Sequence, residues 1–238
     1  MILHKLIRRY LSHGDDAEFY RLQAEDSIRW IRANGVELGS ETTVLDLGCG
    51  HGVFGQELSS LGCNVTYADE WNVVRSDIFV RRFFRVNIDK NPLIHLGKYD
   101  VVICSNVLEH LCNPNRFCAI AHRLLNPEGV IYLSWTNWLS PWGGHEFSPF
   151  HYLGTRLGPA IYDRIAKRPR FHHPYRNLFP TYIGTVLRWL DSNPNLTIEA
   201  VVPRYYTELA WMMRVPVLRE FAAWNCAVIL KRKEVPRE

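Results

Sequence analysis

The stretch Val44-Leu45-Asp46-Leu47-Gly48-Cys49-Gly50-His51-Gly52 decides the fold. A short apolar run leads into three glycines at alternate positions, and residues 53–61 then follow with a helical pattern. A strand, a glycine loop and a helix in that order bring the backbone close to a ligand at the carboxyl edge of a parallel sheet. The stretch therefore predicts an α/β fold with a ligand-binding loop after its first strand.

A carboxylate just before the loop narrows the choice of ligand. Residues 50–55 match the G-x-G-x-x-G fingerprint of dinucleotide-binding loops, which alone is a weak signal. Asp46 would repel a pyrophosphate, whereas it suits a ligand with positive charge. S-adenosylmethionine carries an ammonium and a sulfonium group and has no phosphate. Asp69 ends the second predicted strand, where a carboxylate can accept hydrogen bonds from both ribose hydroxyls.

Strand and helix patterns alternate outward from the loop as far as residue 135. Alternation of this kind predicts a Rossmann-like, doubly wound, mostly parallel sheet. The predicted strands are 42–47, 64–68, 82–86, 99–105 and 130–135, with helices at 53–61 and 113–125 and a turn at 126–129. The pattern breaks afterwards, and two further strands are expected at 196–202 and 227–231. We therefore divide the chain into an N-terminal helical segment (1–40), a cofactor-binding core (41–135), a cap insertion (136–195) and C-terminal strands (196–238).

Composition excludes several other classes of protein. The 238 residues are 47% hydrophobic with a net charge of +4, which is too weakly basic to imply nucleic acid. Apolar runs are far shorter than the roughly 18 residues of a membrane span, and no secretory signal is expected. The six cysteines form no Cys-x-x-Cys pair, which favours reduced thiols in a cytoplasmic protein and disfavours zinc binding by cysteine.

Three motifs together resemble the class I S-adenosylmethionine-dependent methyltransferases. They are the opening stretch, the fourth-strand segment Tyr99-Asp100-Val101-Val102-Ile103-Cys104-Ser105-Asn106-Val107-Leu108-Glu109-His110, and the turn Leu124-Leu125-Asn126-Pro127-Glu128-Gly129-Val130. This resemblance implies seven strands with the last antiparallel, and S-adenosylmethionine as the cofactor. Residues 143–146, 151–154 and 215–221 are also similar to a group of largely uncharacterised actinobacterial methyltransferases.

The resemblance assigns the methionine end of the cofactor to the glycine loop. Gly48, Gly50 and Gly52 would pass beneath the methionine, and Asp46 would help to hold its ammonium group. Cys49 belongs to the same loop, where it is more readily a small buried filler than a reactive thiol.

The adenosine end is assigned to the strands that follow. Asp69 would bind the ribose, Glu70 or Trp71 would border the adenine, and Ser105 and Asn106 would flank the cofactor. The family often places an aspartate at the end of the third strand to contact the adenine amino group. We place Asn87 and the neighbouring Ile88 at that position, with Asp89 as the competitor.

The cap insertion supplies the candidate catalytic groups. Gly143-Gly144 permits a sharp turn that presents His145 and Glu146 together. His145 is the candidate general base, Glu146 its candidate orienting carboxylate, and His151 the reserve base. The alternative is that these residues only tie down the loop by hydrogen bonds. No metal is predicted, because His145, Glu146 and His151 lack a helical His-x-x-x-His spacing.

The cap is also densely aromatic and basic. Its aromatic side chains would wall an acceptor pocket or form a small core of their own; they are Trp135, Trp138, Trp142, Phe147, Phe150 and Tyr152. Residues 151–176 carry six basic side chains against Asp163 alone. That cluster would receive an anion, or it would be a solvated face; its members are Arg156, Arg164, Lys167, Arg168, Arg170 and Arg176.

These observations predict methyl transfer by in-line displacement. The expected acceptor is a small molecule or glycan, methylated at oxygen and anionic or lipid-linked, with no nucleic acid partner. The alternatives are a quinone, polyketide or lipid hydroxyl as acceptor, or a cofactor-binding module without catalysis. An NAD-dependent oxidoreductase is a further rival. The sequence does not predict an oligomeric state.

Overall fold

The architecture comes from a computed structural model of the chain. It describes residues 2, 4, 6–8, 16–166 and 169–233. Most of the first fifteen residues of the predicted helical segment lie outside the described residues. Lys167 and Arg168 of the predicted basic cluster also lie outside them.

Seven strands within the described residues form one sheet. They are β1 (Thr43–Leu47), β2 (Asn64–Asp69), β3 (Phe83–Arg85), β4 (Tyr99–Ser105), β5 (Leu125–Thr136), β6 (Leu196–Pro203) and β7 (Asn225–Arg232). Their order across the sheet is β3-β2-β1-β4-β5-β7-β6, and β7 alone runs antiparallel to its neighbours. The predicted Rossmann-like sheet with an antiparallel last strand is confirmed.

Helices cover both faces of this sheet. They are α1 (Asp16–Ala33), α2 (Val53–Ser60), α3 (Pro114–Ile120), α4 (Gly154–Ile165), α5 (Ile183–Asp191) and α6 (Pro216–Ala222). Buried side chains of α1 and α2 form one core with the sheet, and those of α3 and α5 form the other. In the described part of the chain, no helix combines the length and apolar character that crossing a bilayer requires.

The strand order reverses between β1 and β4, and this reversal positions the site. Consecutive strands lead outward from β1 to β3, and the chain then returns to form β4 on the other side of β1. The two loops that leave β1 and β4 therefore diverge and open a crevice at the carboxyl edge of the sheet. Val101 to Cys104 are at most 1% exposed, as expected of a strand covered on both faces.

Two element boundaries differ from the sequence-based expectation. The predicted turn at 126–129 is a bulge inside β5, because the pairing with β4 shifts from Tyr99–Leu125 to Val101–Val130. The predicted helix over 113–125 ends at Ile120 and tightens into a 3₁₀ turn at Ala121–Leu124. Both changes let β5 begin earlier, since its first residue already pairs with β4.

The segment between β5 and α5 departs from the strand–helix alternation. It contains 3₁₀ turns at His145–Phe147 and Phe150–Leu153, followed by α4. Trp138, Phe147, Tyr162 and Leu178 form a separate small core there, so part of the aromatic set packs within the segment itself. By contrast, Trp135 belongs to the main core, and buried residues of α5 pack there too, although the predicted insertion includes α5.

Gly143 provides a test of how tightly the turn into this segment is packed. A methyl group on Gly143 would lie 1.8 Å from the carbonyl oxygen of Trp138, a backbone atom that cannot rotate away. Gly143→Ala should therefore lower the free energy of unfolding by about 1–3 kcal/mol in urea titrations. Gly39→Ala is the matched control, because a methyl group there meets no atom within 4 Å. Equal stability of the two variants would contradict the described turn.

Candidate active site

The glycine loop lies at the carboxyl edge between β1 and α2. Gly48, Gly50 and Gly52 have φ angles of 73°, 49° and 79°, in the left-handed region that glycine adopts without strain. A methyl group on Gly48 would lie 2.4 Å from Val107, and one on Gly52 would lie 2.8 Å from Val74. A methyl group on Gly50 would meet no atom of the described residues within 4 Å. The backbone of Gly50 therefore faces open space, where a ligand can approach closely.

Asp46 is a buried carboxylate at the end of β1. It is 2% exposed, and its Oδ2 accepts the N–H of Gly55 in α2 at 2.9 Å. Burial raises the pKa of Asp46 to about 7; the bond from Gly55 opposes the rise, and the charge of Asp69 adds to it. A ligand ammonium would offset the cost of ionising this carboxyl, which fits the predicted role.

Asp69 joins the end of β2 to the glycine loop. Its Oδ2 accepts the N–H of Gly50 at 2.9 Å, and its Oδ1 accepts the N–H of Trp71 at 3.2 Å. A carboxylate has about four lone-pair sites, so both oxygens can still accept bonds from ribose hydroxyls. Asp69 therefore keeps the capacity to accept hydrogen bonds that the predicted ribose contact requires.

The predicted adenine residues lie at the ends of β2 and β3. Asn87 Nδ2 donates to Glu70 Oε1 at 2.8 Å, and Asn87 Oδ1 accepts the N–H of Lys90. Asp89, the competitor, instead accepts two backbone N–H groups of the 112–113 loop. Trp71 is 60% exposed, which leaves its ring accessible to an adenine. Ile88 is buried beneath this edge.

The end of β4 is tied to a buried arginine. Asn106 has a φ of 57°, and its Oδ1 accepts bonds from Arg204 Nη1 at 3.0 Å and Asn225 Nδ2 at 2.9 Å. Ser105 Oγ lies 3.4 Å from Ser134 Oγ, which also accepts from Arg204 Nη1. Arg204, only 3% exposed, thus fixes the backbone that leaves β4.

A pocket of about 420 Å³ brings several of these residues together. Asp46, Gly48, Cys49 and Gly50 line it, together with the Ser105–Asn106 pair at the end of β4. Burial raises the pKa of the Cys49 thiol, and the charges of Asp46 and Asp69 add to the rise, so Cys49 is not a reactive thiolate. The other predicted cofactor residues, which do not line this pocket, are Gly52, Asp69, Glu70, Trp71, Asn87 and Ile88.

A histidine cluster lines the same pocket. We use this name for His110, which follows β4, His145, which follows the Gly143-Gly144 turn, and His172. Each histidine offers one ring nitrogen as a ligand atom, and these three nitrogens all lie within 4.8 Å of one another. The ring centroids of His145 and His172 are 4.4 Å apart, and that of His110 is 5.4 Å and 5.5 Å from them.

Hydrogen bonds orient two of the three rings. His110 Nδ1 donates to the carbonyl oxygen of Asn177 at 2.7 Å, and His172 Nδ1 donates to Glu146 Oε2 at 2.5 Å. Glu146 Oε1 also accepts the backbone N–H of His172 at 2.6 Å. Although burial opposes ionisation of Glu146, these bonds from His172 lower its pKa to about 2. Glu146 is therefore an ionised carboxylate that orients His172.

The predicted pairing of Glu146 with His145 is wrong, because Glu146 holds His172 instead. His145 has a φ of 51°, a strained conformation that concentrates at functional sites. Burial, with the nearby His172 and His110, lowers the pKa of His145 to about 3. Its imidazole is therefore neutral but too weakly basic to act alone as the predicted general base near pH 7.

His151, the predicted reserve base, lies outside the pocket lining and is 1% exposed. Its Nε2 lies 3.0 Å from the carbonyl oxygen of Ser140, and its ring packs where a methyl group on Gly144 would lie. Burial lowers the pKa of His151. His151 thus braces the turn that presents His145 rather than facing a substrate.

Several residues that line the pocket were not selected from the sequence, among them His110, His172, Phe171 and Arg204. The position of His110 could have been predicted, since it lies in the loop that follows β4 and the carboxyl ends of parallel strands share an edge. No sequence spacing pointed to His172 or Arg204, because they arrive from distant segments.

Comparisons with known proteins identify the family of the chain. A methyltransferase domain family matches residues 17–201, and the chain belongs to that family. An uncharacterized methyltransferase of Mycobacterium bovis (strain BCG / Pasteur 1173P2) is 33% identical over 228 residues, which cover 91% of this chain and 88% of the relative. One from Mycobacterium ulcerans is 32% identical with the same coverage. The predicted similarity to actinobacterial methyltransferases is confirmed.

Solved structures share the fold. A putative S-adenosylmethionine-dependent methyltransferase from Listeria monocytogenes has a TM-score of 0.57 at 16% identity, covering 89% of this chain and all of that one. Another from Mesorhizobium loti has a TM-score of 0.56 at 23% identity, covering 87% of this chain and 98% of that one. The predicted class I fold is thereby confirmed, and S-adenosylmethionine is the cofactor consistent with family, fold and loop.

The raised pKa of Asp46 predicts two opposite responses to pH. Between about pH 4 and pH 7 the folded carboxyl keeps a proton that the unfolded one has lost, so the free energy of unfolding should fall as pH rises. Affinity for S-adenosylhomocysteine should rise through about pH 7, because its ammonium gains an ionised partner. Urea titration and calorimetry at a series of pH values measure both.

Asp46→Asn is the control for this pair of measurements, since the amide keeps an oxygen for the Gly55 N–H but cannot ionise. Subtracting the variant's pH profile from that of the natural protein isolates the contribution of Asp46. Parallel profiles in both measurements would show that Asp46 does not titrate as described.

Asp69 tests the ribose assignment. Asp69→Ala removes the carboxylate that accepts the Gly50 N–H, and affinity for S-adenosylhomocysteine should fall on the order of 10-fold or more. Asp77→Ala is the matched control, because the exposed Asp77 pairs only with Arg75 in the described contacts. Unchanged affinity in Asp69→Ala would place the ribose elsewhere.

Proposed function

We propose that the chain transfers the methyl group of S-adenosylmethionine to an oxygen atom of a small-molecule or glycan acceptor. The observation that carries this proposal is the histidine cluster in the same pocket as the glycine loop. A hydroxyl must lose its proton to become a good nucleophile, whereas a thiol or amine needs little more than positioning. Imidazole nitrogens beside the cofactor pocket therefore favour an oxygen acceptor.

The transfer is an in-line displacement. The acceptor oxygen attacks the methyl carbon while the bond from that carbon to sulfur breaks, and the bonding pair stays on sulfur to give S-adenosylhomocysteine. The acceptor's proton leaves at the histidine cluster and passes to solvent. The chain's contribution is to align three atoms and to limit access of water to them.

Helix α4 supports a lipid-linked acceptor. Leu157 and Ile165 lie eight residues apart on α4, and Leu153 immediately precedes the helix. These three apolar side chains are 56%, 61% and 51% exposed, respectively. Arg156 and Arg164 are exposed beside them. An apolar stripe flanked by arginines suits the surface of an anionic lipid, where acyl chains and headgroups meet the two kinds of side chain.

Not all of the basic cluster is available to an anion. Arg170 makes a two-pronged bond to Asp163, with Nε–Oδ1 at 2.6 Å and Nη2–Oδ2 at 2.9 Å. Arg156, Arg164 and Arg176 are exposed. These three are the described side chains we propose for an anionic part of the acceptor.

Product formation tests this function directly. The protein is incubated with S-adenosylmethionine that carries a trideuteriomethyl group, and with water-soluble or lipid fractions of a bacterial extract. Mass spectrometry should find a labelled product in the lipid fraction, with fragmentation placing the label on oxygen. His172→Ala should lower the rate by about 10²-fold or more without changing S-adenosylhomocysteine affinity. His173→Ala, which alters the adjacent ring outside the pocket lining, is the matched control.

Each alternative outcome has a distinct meaning. A label on nitrogen or carbon would reject the oxygen acceptor, and a label only in the water-soluble fraction would reject the lipid link. No labelled product in either fraction, together with tight NAD binding, would reject the transfer itself.

A further inference from the structure

The histidine cluster has the composition of a metal site. Its three ligand nitrogens lie within 4.8 Å of one another. A tetrahedral ion with bonds of about 2.0 Å holds its ligand nitrogens roughly 3.3 Å apart. Side-chain rotations that close the cluster by about 1.5 Å or less would therefore complete the coordination geometry.

The hydrogen bonds around the cluster match those of metal-binding histidines. Such rings usually donate their second N–H to a carboxylate or a backbone carbonyl, which fixes the tautomer and frees the other nitrogen. His172 donates Nδ1–H to the Glu146 carboxylate, and His110 donates Nδ1–H to the Asn177 carbonyl. Both therefore present Nε2 as a free lone pair.

The surroundings also favour a cation. Glu109 is 1% exposed and lines the pocket, and its Oε2 has no hydrogen-bond partner in the described part of the chain. Its other oxygen accepts the N–H of Thr136 at 2.8 Å. This oxygen is therefore left to contact a cation or a hydrogen-bond donor that enters the pocket, which Arg204 also lines.

We propose that His110, His145 and His172 bind one divalent transition-metal ion, with Zn²⁺ as the best fit, at the acceptor end of the pocket. Three neutral imidazoles are a ligand set typical of zinc sites that keep a fourth position open. This set differs from His145, Glu146 and His151, since Glu146 and His151 bond elsewhere.

The role of the ion rests on the proposed function, whereas its binding does not. An ion at this position would take the acceptor's hydroxyl oxygen as its fourth ligand and lower the pKa of that hydroxyl. The ion would thus replace direct proton acceptance by an imidazole: the proton would leave to solvent, and no histidine would need to be strongly basic. Glu146 becomes a positioning residue, because it acts through His172.

Metal binding is tested with Zn²⁺ alone on the full-length protein after treatment with a chelator. Titration against a chromophoric chelator should give one site per chain. His145→Ala should weaken the affinity at least 100-fold, and Glu146→Gln about 10–100-fold. His173→Ala and Cys112→Ser should leave it unchanged; Cys112 is included because it is the exposed cysteine among those described. Co²⁺ in place of Zn²⁺ should give the intense visible absorption of a tetrahedral site.

S-adenosylhomocysteine affinity serves as the folding control, since it should stay within about twofold in every variant. Absence of a stoichiometric site, or loss of Zn²⁺ in Cys112→Ser but not in His145→Ala, would overturn the proposal. Methyl transfer by protein that binds no metal would leave the proposed function standing and reject this inference alone. Zn²⁺ binding at one site per chain without any methyl transfer would support the metal site and reject the proposed function.

Discussion

The hydrogen bond from the Gly55 N–H to the buried Asp46 carboxylate holds the cofactor end of the site together. It joins the end of β1 to the first turn of α2 across the glycine loop. Asp69 adds a second tie from β2, through the Gly50 N–H. The loop between these ties has three residues in a left-handed conformation, so its shape depends on carboxylates that lie outside it.

Those two carboxylates also define what the loop can bind. Asp46 is buried close enough to Asp69 for their charges to oppose each other, and neither has a lysine or arginine partner in the described contacts. The arrangement is costly without a cation and is relieved by one. An ammonium-bearing ligand would therefore stabilise this loop, whereas a pyrophosphate would add a third negative group.

The sequence predicted the sheet well because the signals of its strands and of the glycine loop are local. The central strand β4 is a largely apolar run, and Asp46, Gly50 and Asp69 lie at or just after the ends of β1 and β2. The histidines were harder, since Glu146 follows His145 directly yet bonds His172, 26 residues away. Adjacency in sequence suggested the wrong pair. In a 3₁₀ turn successive side chains diverge by about 120°, so neighbours such as His145 and Glu146 face different partners.

Glu146 links the 3₁₀ turn at His145–Phe147 to the segment that carries His172. One of its oxygens holds the backbone of His172 and the other holds its ring, so the carboxylate fixes both the path of the chain and the direction of the imidazole. The next residue, Phe147, is fully buried in the small core with Trp138 and Tyr162. That core therefore sets the position of Glu146, and Glu146 sets that of His172. A surface loop could carry the same histidines, but without this packing it would not hold them against a pocket formed by β1 and β4.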